Sequence, residues 1–166
     1  SEQITGTLRV LNVSNPTNPQ PVAEVARPGY ANGLDVEGGL ALIAGEGLYL
    51  VDVDPPSAAQ AITSCATGGQ PVAVSAAGNH AYVATAWGGL QVVSIANPQR
   101  PEKVGGISSW YASNAALSGT HCYVAGGTYL RVLDCSDPAV LRQVGYHVFQ
   151  SGSVVEMAQQ VAVRSG

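Results

Sequence analysis

Short apolar runs separated by polar turns recur along the chain with a period of about 41 residues. One of these runs begins with leucine, is rich in leucine and valine, and is followed by a turn that contains proline. Its four copies are Leu8–Pro16, Leu48–Pro56, Leu90–Pro98 and Leu130–Pro138. Their first residues lie 40, 42 and 40 positions apart, so the sequence predicts four copies of one unit.

Other apolar runs keep the same phase and supply the remaining strands of each unit. The second-strand runs are Leu40–Ala44, His80–Ala84, His121–Ala125 and Val161–Ser165. Each is preceded by a first strand, and a fourth strand follows each proline turn around Val22, Ile62, Val104 and Val144. Four short antiparallel strands in 40–45 residues are typical of a propeller blade. We therefore predict an all-β fold, a four-bladed β-propeller.

The two ends of the chain supply complementary halves of one blade. The segment from Leu8 onward holds a third and a fourth strand, whereas Val155–Ser165 holds a first and a second strand. Pairing of Val155–Ser165 with Leu8–Val13 would close a four-bladed ring within a single domain, residues 1–166, and would leave no exposed strand edge at the ends. The alternatives are pairing in trans, which gives an eight-bladed ring from two chains, and a fragment of a longer array.

The repeat phase also predicts which side chains are buried in the seams between blades. These side chains are Leu34, Val36, Leu42, Val74, Tyr82, Leu117, Tyr123, Val124 and Met157.

Several segments resemble the LVIVD-repeat family of bacterial and archaeal β-propellers. The resemblance is carried by the Leu-Tyr-Leu-Val-Asp-Val of Leu48–Val53, by Leu8–Pro16 and by the Ala-Tyr-Val-Ala of Ala81–Ala84. It extends over essentially the entire chain. The resemblance implies a secreted or cell-surface setting for many members and no established enzymatic activity, so it transfers no catalytic residue. For this chain we expect an extracellular, cell-surface or periplasmic location.

Composition and charge narrow the possible partners. Charged residues make up 11% of the chain, its net charge is −4, and its seven Lys and Arg are spread along the sequence. A nucleic-acid partner requires clustered cations, so we do not expect one. No apolar run approaches the roughly 20 residues that span a bilayer, so membrane insertion is not expected either.

The histidines and cysteines give no clear site. His80 and His121 occupy equivalent positions in different blades and should point apart, so no metal or other cofactor is expected. Cys122 and Cys135 lie on consecutive strands, where two buried thiols are favoured over a disulfide because directly paired strand positions suit the S–S bond poorly.

Aromatic and amide residues lie just before the first strands of the blades and should ring one mouth of the central channel. They are Tyr30, Asn32, Gln70, Trp110, Tyr111 and Ser113. Stacking rings beside hydrogen-bonding groups suit a peptide or a sugar. Trp87 lies in a second-to-third-strand connection, which we place at a different level of the blade. The alternative is that these aromatic residues cover the seams between blades.

Two acids, Asp35 and Glu156, interrupt the innermost strands and could hold a cation or a polar ligand in the channel. A hydrogen-bonded structural role would explain them equally well.

The favoured function is a non-catalytic binding or scaffold module that recognises a protein or carbohydrate at the propeller face. The alternatives are a small hydrolase or isomerase using these two acids, and half of a dimeric or longer propeller with a purely architectural role. We expect a monomer, or a dimer if strands pair in trans.

Overall fold

The computed structural model describes residues 5–108, 110–151, 154–155 and 158–163. These residues form antiparallel sheets, and their helical content is one turn of 3-10 helix at Pro56–Ala58. Within the described ranges no helix is long and apolar enough to cross a membrane. The prediction of an all-β fold is therefore confirmed.

A two-stranded sheet comes first, and three four-stranded sheets follow it in chain order. The two-stranded sheet consists of β1 (Thr5–Asn12) and β2 (Gln20–Pro28). The first blade consists of β3 (Gly33–Glu37), β4 (Leu40–Ala44), β5 (Leu48–Asp52) and β6 (Gln60–Cys65). The second blade consists of β7 (Ala73–Ala77), β8 (His80–Ala84), β9 (Leu90–Ser94) and β10 (Glu102–Ile107). The third blade consists of β11 (Asn114–Ser118), β12 (His121–Gly126), β13 (Tyr129–Asp134) and β14 (Arg142–Val148). A short hairpin of β15 (Gln150–Ser151) and β16 (Val154–Val155) comes after them.

The turn between the first and second strands of each blade explains the regular hairpins. In the first blade this turn is Gly38-Gly39, and both residues have positive φ, 55° and 79°. Two-residue hairpins twist correctly only with such left-handed residues, and glycine adopts them without steric cost. Gly78 and Gly119 take the same position in the next two blades, with φ of 55° and 57°.

The sheets bury their apolar faces against one another in chain order. Val25 of the two-stranded sheet packs on Ala41 and Ile43 of the first blade. The first blade packs on the second through a cluster that includes Leu42 and Val83. A third cluster joins the second and third blades. The innermost strand β7 contacts both β3 and β11, so the three blades present their first strands to a common centre.

The predicted seam positions are confirmed for blades that have a neighbour on the relevant side. The buried ones are Leu42, Val74, Tyr82 and Val124, and Leu117 is half-buried against the cluster that joins the second and third blades. Tyr123 lies on the opposite face of β12 from Val124 and is only half-buried, so its predicted burial in a seam is not confirmed. Met157 lies outside the described residues. The prediction is wrong for Leu34 and Val36, which are 55% and 54% exposed. The physical reason is that β1–β2 packs on strands β4 and β5 of the first blade and leaves the same face of β3 uncovered.

The predicted pairing of Val155–Ser165 with Leu8–Val13 is absent among the described residues. There β1 pairs with β2 alone, and β16 pairs with β15. Closure of the ring by that pairing is therefore not confirmed.

The C-terminal segment instead lies against the third blade. The backbone N–H of Ala158 donates to Gly127 O at 2.7 Å. In the preceding repeat the N–H of Ala112 donates to Ala86 O at 2.9 Å, directly before the innermost strand β11. Ala158 is therefore equivalent to Ala112 and occupies the position directly before an innermost strand. The apolar pattern predicts this position a few residues earlier, before Val155.

Candidate functional site

Two kinds of connection meet at one end of the blades. The first strand of a blade begins at this end, and the second strand, which is antiparallel to it, returns to the same end. The residues before β11 therefore lie beside the β8–β9 and β12–β13 turns. An isolated bridge between Ala86 and Ala112 joins the β8–β9 turn to the segment before β11.

The backbone of this region brings Tyr111 into close contact with two neighbouring turns. Ala86 has a φ of 48°, a left-handed conformation that turns the chain sharply before Trp87. On the other side, a Cβ at Gly126 would overlap the carbonyl oxygen of Tyr111, so glycine is needed for this approach. The ring of Trp87 then meets that of Tyr111 edge to face, with centroids 5.1 Å apart and planes at 64°.

These rings form one wall of a pocket of about 530 Å³, here called the aromatic pocket. The residues that line it are Trp87, Trp110, Tyr111, Gly126, Gly127, Thr128, Tyr129 and Arg131. The lining is mostly apolar, and Arg131 is the one charged residue among the described residues that form it. The pocket lies between the second and third blades, because Trp87 belongs to the former and the rest to the latter.

The guanidinium of Arg131 contacts two aromatic rings. Its guanidinium carbon lies 5.0 Å from the ring centroid of Trp110 and 4.8 Å from that of Tyr129. Its Nη1 donates to Oε1 of Gln143 at 2.9 Å. In the part of the chain that the structure describes, no carboxylate lies within ion-pair distance of Arg131. The cation is therefore oriented by cation–π contacts and one neutral hydrogen bond.

The two tryptophans of the pocket differ in burial. Trp87 is 82% exposed, whereas Trp110 is half-buried and packs against the core cluster of the second and third blades. Tyr146 extends the exposed aromatic surface, since its ring centroid lies 6.5 Å from that of Tyr129. The aromatic pocket thus combines a ring that is part of the core with one that stands in solvent.

A second cavity of about 640 Å³ opens between the innermost strands and shares Tyr111 with the aromatic pocket. Asn32 lines it, and its Nδ2 donates to Pro71 O at 2.9 Å, which ties the first blade to the second. Ser113 also lines it, and its hydroxyl lies within hydrogen-bond distance of three backbone carbonyls, 2.9 to 3.2 Å away. Both polar groups already have partners within the chain.

The structure brings together four of the six residues that the sequence predicts as a ligand site. Trp110 and Tyr111 line the aromatic pocket, and Tyr111, Asn32 and Ser113 line the second cavity, between the innermost strands. The remaining two are Tyr30 and Gln70, which are exposed and line neither cavity. The predicted placement of Trp87 at a different level of the blade is wrong, because its ring lies against that of Tyr111. Sequence reasoning missed Tyr129 and Arg131.

The candidate channel acid Asp35 joins two blades. Its Oδ2 accepts from the backbone N–H of Ala76 at 2.7 Å, and its Oδ1 accepts from the N–H of Val36 at 2.9 Å. Glu37 makes a similar contact with Gly78 N at 2.8 Å. Both carboxylates therefore satisfy backbone donors of the next blade. Glu156, the other acid, lies outside the described residues.

The cysteines are free thiols. Cys122 and Cys135 are buried, and a hydrogen bond with Cys135 together with burial raises the pKa of Cys122. Burial also raises the pKa of Cys65. In the described part of the chain no three His, Cys, Asp or Glu side chains are grouped as metal ligands would be.

Comparison with known proteins identifies the repeat. A family model described as the LVIVD repeat matches three consecutive segments, residues 28–67, 68–107 and 110–146. The chain belongs to the LVIVD-repeat family. LVIVD repeats form β-propellers, and the three matched segments correspond to the three four-stranded blades. The resemblance stated from the sequence is therefore confirmed.

A solved structure shares the fold of this LVIVD-repeat chain. It is the crystal structure of a functionally unknown protein from Desulfotomaculum acetoxidans DSM 771, with a TM-score of 0.74 and 17% sequence identity. The match covers 91% of this chain and 51% of that one, so this chain spans about half the length of its structural neighbour. At that identity the likeness shows the fold alone. A search of curated proteins found no match.

Proposed function

We propose that this LVIVD-repeat protein is a non-catalytic binding module whose aromatic pocket recognises a carbohydrate or protein ligand. The observation that carries the proposal is Trp87, which is 82% exposed and lies edge to face against Tyr111 at the rim of the pocket. Fold alone does not define function, so the proposal depends on this site.

An exposed indole in a fixed position favours ligand binding. Large aromatic side chains gain stability by burial, at roughly 25 cal/mol per Å² of apolar surface. Most of the apolar surface of Trp87 remains in contact with solvent in the free protein, so it contributes little of this stabilisation. The left-handed turn at Ala86 directs the backbone at Trp87 towards the rim of the pocket. A ligand that covers the indole would bury this surface at little cost in ordering.

Tryptophan fluorescence tests the proposal directly. The chain contains two tryptophans, and both line the aromatic pocket. We expect titration with oligosaccharides of glucose, galactose or mannose, or with peptides from a tryptic digest, to change the emission in a saturable way. Trp87→Ala should abolish binding. Tyr30→Ala, an exposed aromatic outside the pocket, should leave it unchanged. Saturable binding that survives Trp87→Ala would place the site elsewhere, and an unchanged emission with every probe would remove the proposal.

For the ring we propose four blades within one chain. Each of β5, β9 and β13 pairs on both sides, whereas β1 pairs on one side only among the described strands. The exposed Leu34 and Val36 face the same uncovered region. Strands placed there would pair with β1 and bury both side chains, and the four repeat copies in the sequence support four blades.

A specific observation favours the alternative of an eight-bladed ring from two chains. The structural neighbour is about twice as long as this chain, so its match spans half of it. Light scattering separates the two arrangements. A mass near the 16.9 kDa of one chain supports the single ring, and twice that mass supports pairing in trans.

The hydrolase or isomerase alternative receives no support from the site. It requires Asp35 as a free channel acid, but both oxygens of this carboxylate accept backbone hydrogen bonds.

A further inference from the structure

We propose that the aromatic pocket takes a sugar that bears a carboxylate, a uronate, with Arg131 as the group that binds the carboxylate. This inference rests on the proposed binding function and adds the chemical class of the ligand. It starts from a charge that the fold places in an apolar lining without a carboxylate to pair with among the described residues.

The geometry of Arg131 leaves donors available. A guanidinium carries five N–H donors, and one of those of Arg131 is directed to Gln143 at 2.9 Å. The guanidinium carbon lies over the rings of Trp110 and Tyr129, and these two contacts together with the hydrogen bond to Gln143 restrict the orientation of the group. The planar fork of the guanidinium matches the two oxygens of a carboxylate, and little rotamer freedom remains to be lost on binding.

Other arginines of the chain show the contrast. Arg9 contacts Glu24 at 2.8 Å, and Arg100 contacts Glu102 at 3.1 Å, and both pairs lie in solvent. Arg131 is half-buried, and its neighbours are aromatic rings where Arg9 and Arg100 have carboxylates. An ion pair in such surroundings is screened less than a surface pair, so a ligand carboxylate would gain more there.

The size of the pocket favours a sugar over a protein surface. A concave volume of about 530 Å³ falls within the range of small-molecule sites. A stable protein partner would need roughly 800 Å² of contact from this side. The exposed face of Trp87 and the ring of Tyr111 offer flat platforms to the apolar face of a sugar ring, while Arg131 lies within reach in the same lining.

The test compares an acidic probe with its neutral form. Tryptophan fluorescence is titrated with tri-galacturonate, with its methyl ester and with a short poly-glutamate peptide. We expect tri-galacturonate to bind roughly tenfold tighter than the ester or more, since a hydrogen-bonded charge pair contributes at least that factor. The preference should weaken as salt is raised. It should disappear in Arg131→Gln and persist in Arg9→Gln.

Each other outcome decides against part of the inference. Equal binding of acid and ester would overturn the uronate while leaving the binding module intact. Tighter binding of poly-glutamate would assign the pocket to an acidic peptide. If neither these probes nor neutral oligosaccharides bind, the proposed function fails as well. Should Arg131→Gln unfold, Arg131→Lys keeps the charge but loses the planar fork, and an acid preference unchanged in that variant would overturn the role given to Arg131.

Discussion

The carboxylate of Asp35 accepts a hydrogen bond at 2.7 Å from the backbone N–H of Ala76, and so joins the innermost strands of two neighbouring blades. The N–H of Ala76 belongs to β7, which has its hydrogen-bonded partner β8 on one side only. Asp35 of the first blade thus accepts a hydrogen bond from a backbone N–H on the edge strand β7 of the second blade. An acid on an innermost strand is explained here by the need to satisfy backbone groups that face the channel.

Removing this carboxylate should destabilise the protein. Asp35→Ala leaves the N–H of Ala76 without its charged acceptor, and we expect a loss of about 1.5–3 kcal/mol in the free energy of unfolding. Asp35→Asn keeps a side-chain oxygen and should lose less. Urea denaturation measures both. Glu24→Ala is the matched control, because its ion pair with Arg9 is exposed and should contribute about 1 kcal/mol or less. Equal losses in Asp35→Ala and Glu24→Ala would contradict the bridging role.

Two leucines of the first blade test the seam between blades and the proposed ring closure. Leu42 is fully buried between the first and second blades, so Leu42→Ala should cost about 2–5 kcal/mol by leaving a cavity. Leu34 is 55% exposed beside the described strands, but the proposed ring closure covers it, so Leu34→Ala should cost more than the roughly 0.5 kcal/mol of an exposed position, and a smaller loss would contradict closure. Thermal and urea denaturation give both values. A large loss for Leu34→Ala would mean that strands cover β3 in solution, as ring closure requires.

Stability should also fall at high pH through Tyr82. Burial, and then the nearby Cys135 and Cys122, raise the pKa of Tyr82 to about 12. An unfolded tyrosine has a pKa of about 10, so the native state prefers the neutral phenol. The resulting stability is complete below about pH 10 and is lost as the pH rises towards 12. Urea denaturation across this range should show the decline, and Tyr82→Phe should make it shallower. An identical decline in Tyr82→Phe would assign the effect to other groups.

The repeat phase predicted much of the fold because it depends on local chemistry. Apolar alternation and glycine turns fix where strands begin and end, so the three complete blades agree with the pattern. Leu34 and Val36 were misplaced because their burial depends on which strands lie beside β3, and alternation along one strand carries no such information. The C-terminal shift at Ala158 has the same origin, since a hydrogen bond to Gly127 decides it.

The sequence predicted the part of the candidate site that lies next to a first strand, and it did not predict the contacts between neighbouring connections. Trp110 and Tyr111 were found because they directly precede a first strand. Trp87 was assigned to another level of the blade, although antiparallel order returns the second strand to the end where the first begins. That rule, applied to the sequence, would have placed Trp87 and Tyr129 beside Tyr111. The contact of Arg131 with two rings could not be predicted, because it depends on side-chain packing across β13 and the preceding loop.

The two tryptophans should separate binding from stability. Trp110 is half-buried, packs on the core of the second and third blades and stacks on Arg131, so Trp110→Ala should cost about 2 kcal/mol or more in unfolding free energy. Trp87 is 82% exposed, and Trp87→Ala should shift stability by about 0.5 kcal/mol or less.

Thermal denaturation of both variants measures this difference, and Trp110→Phe serves as a control that keeps an aromatic ring against the core. A comparable loss of unfolding free energy in both alanine variants would assign Trp87 to packing as well, because an indole that stabilises the fold must be in contact with other side chains and not with solvent. A small loss for Trp87→Ala alone leaves its exposed ring without a structural role, which is the condition that the proposed binding function requires.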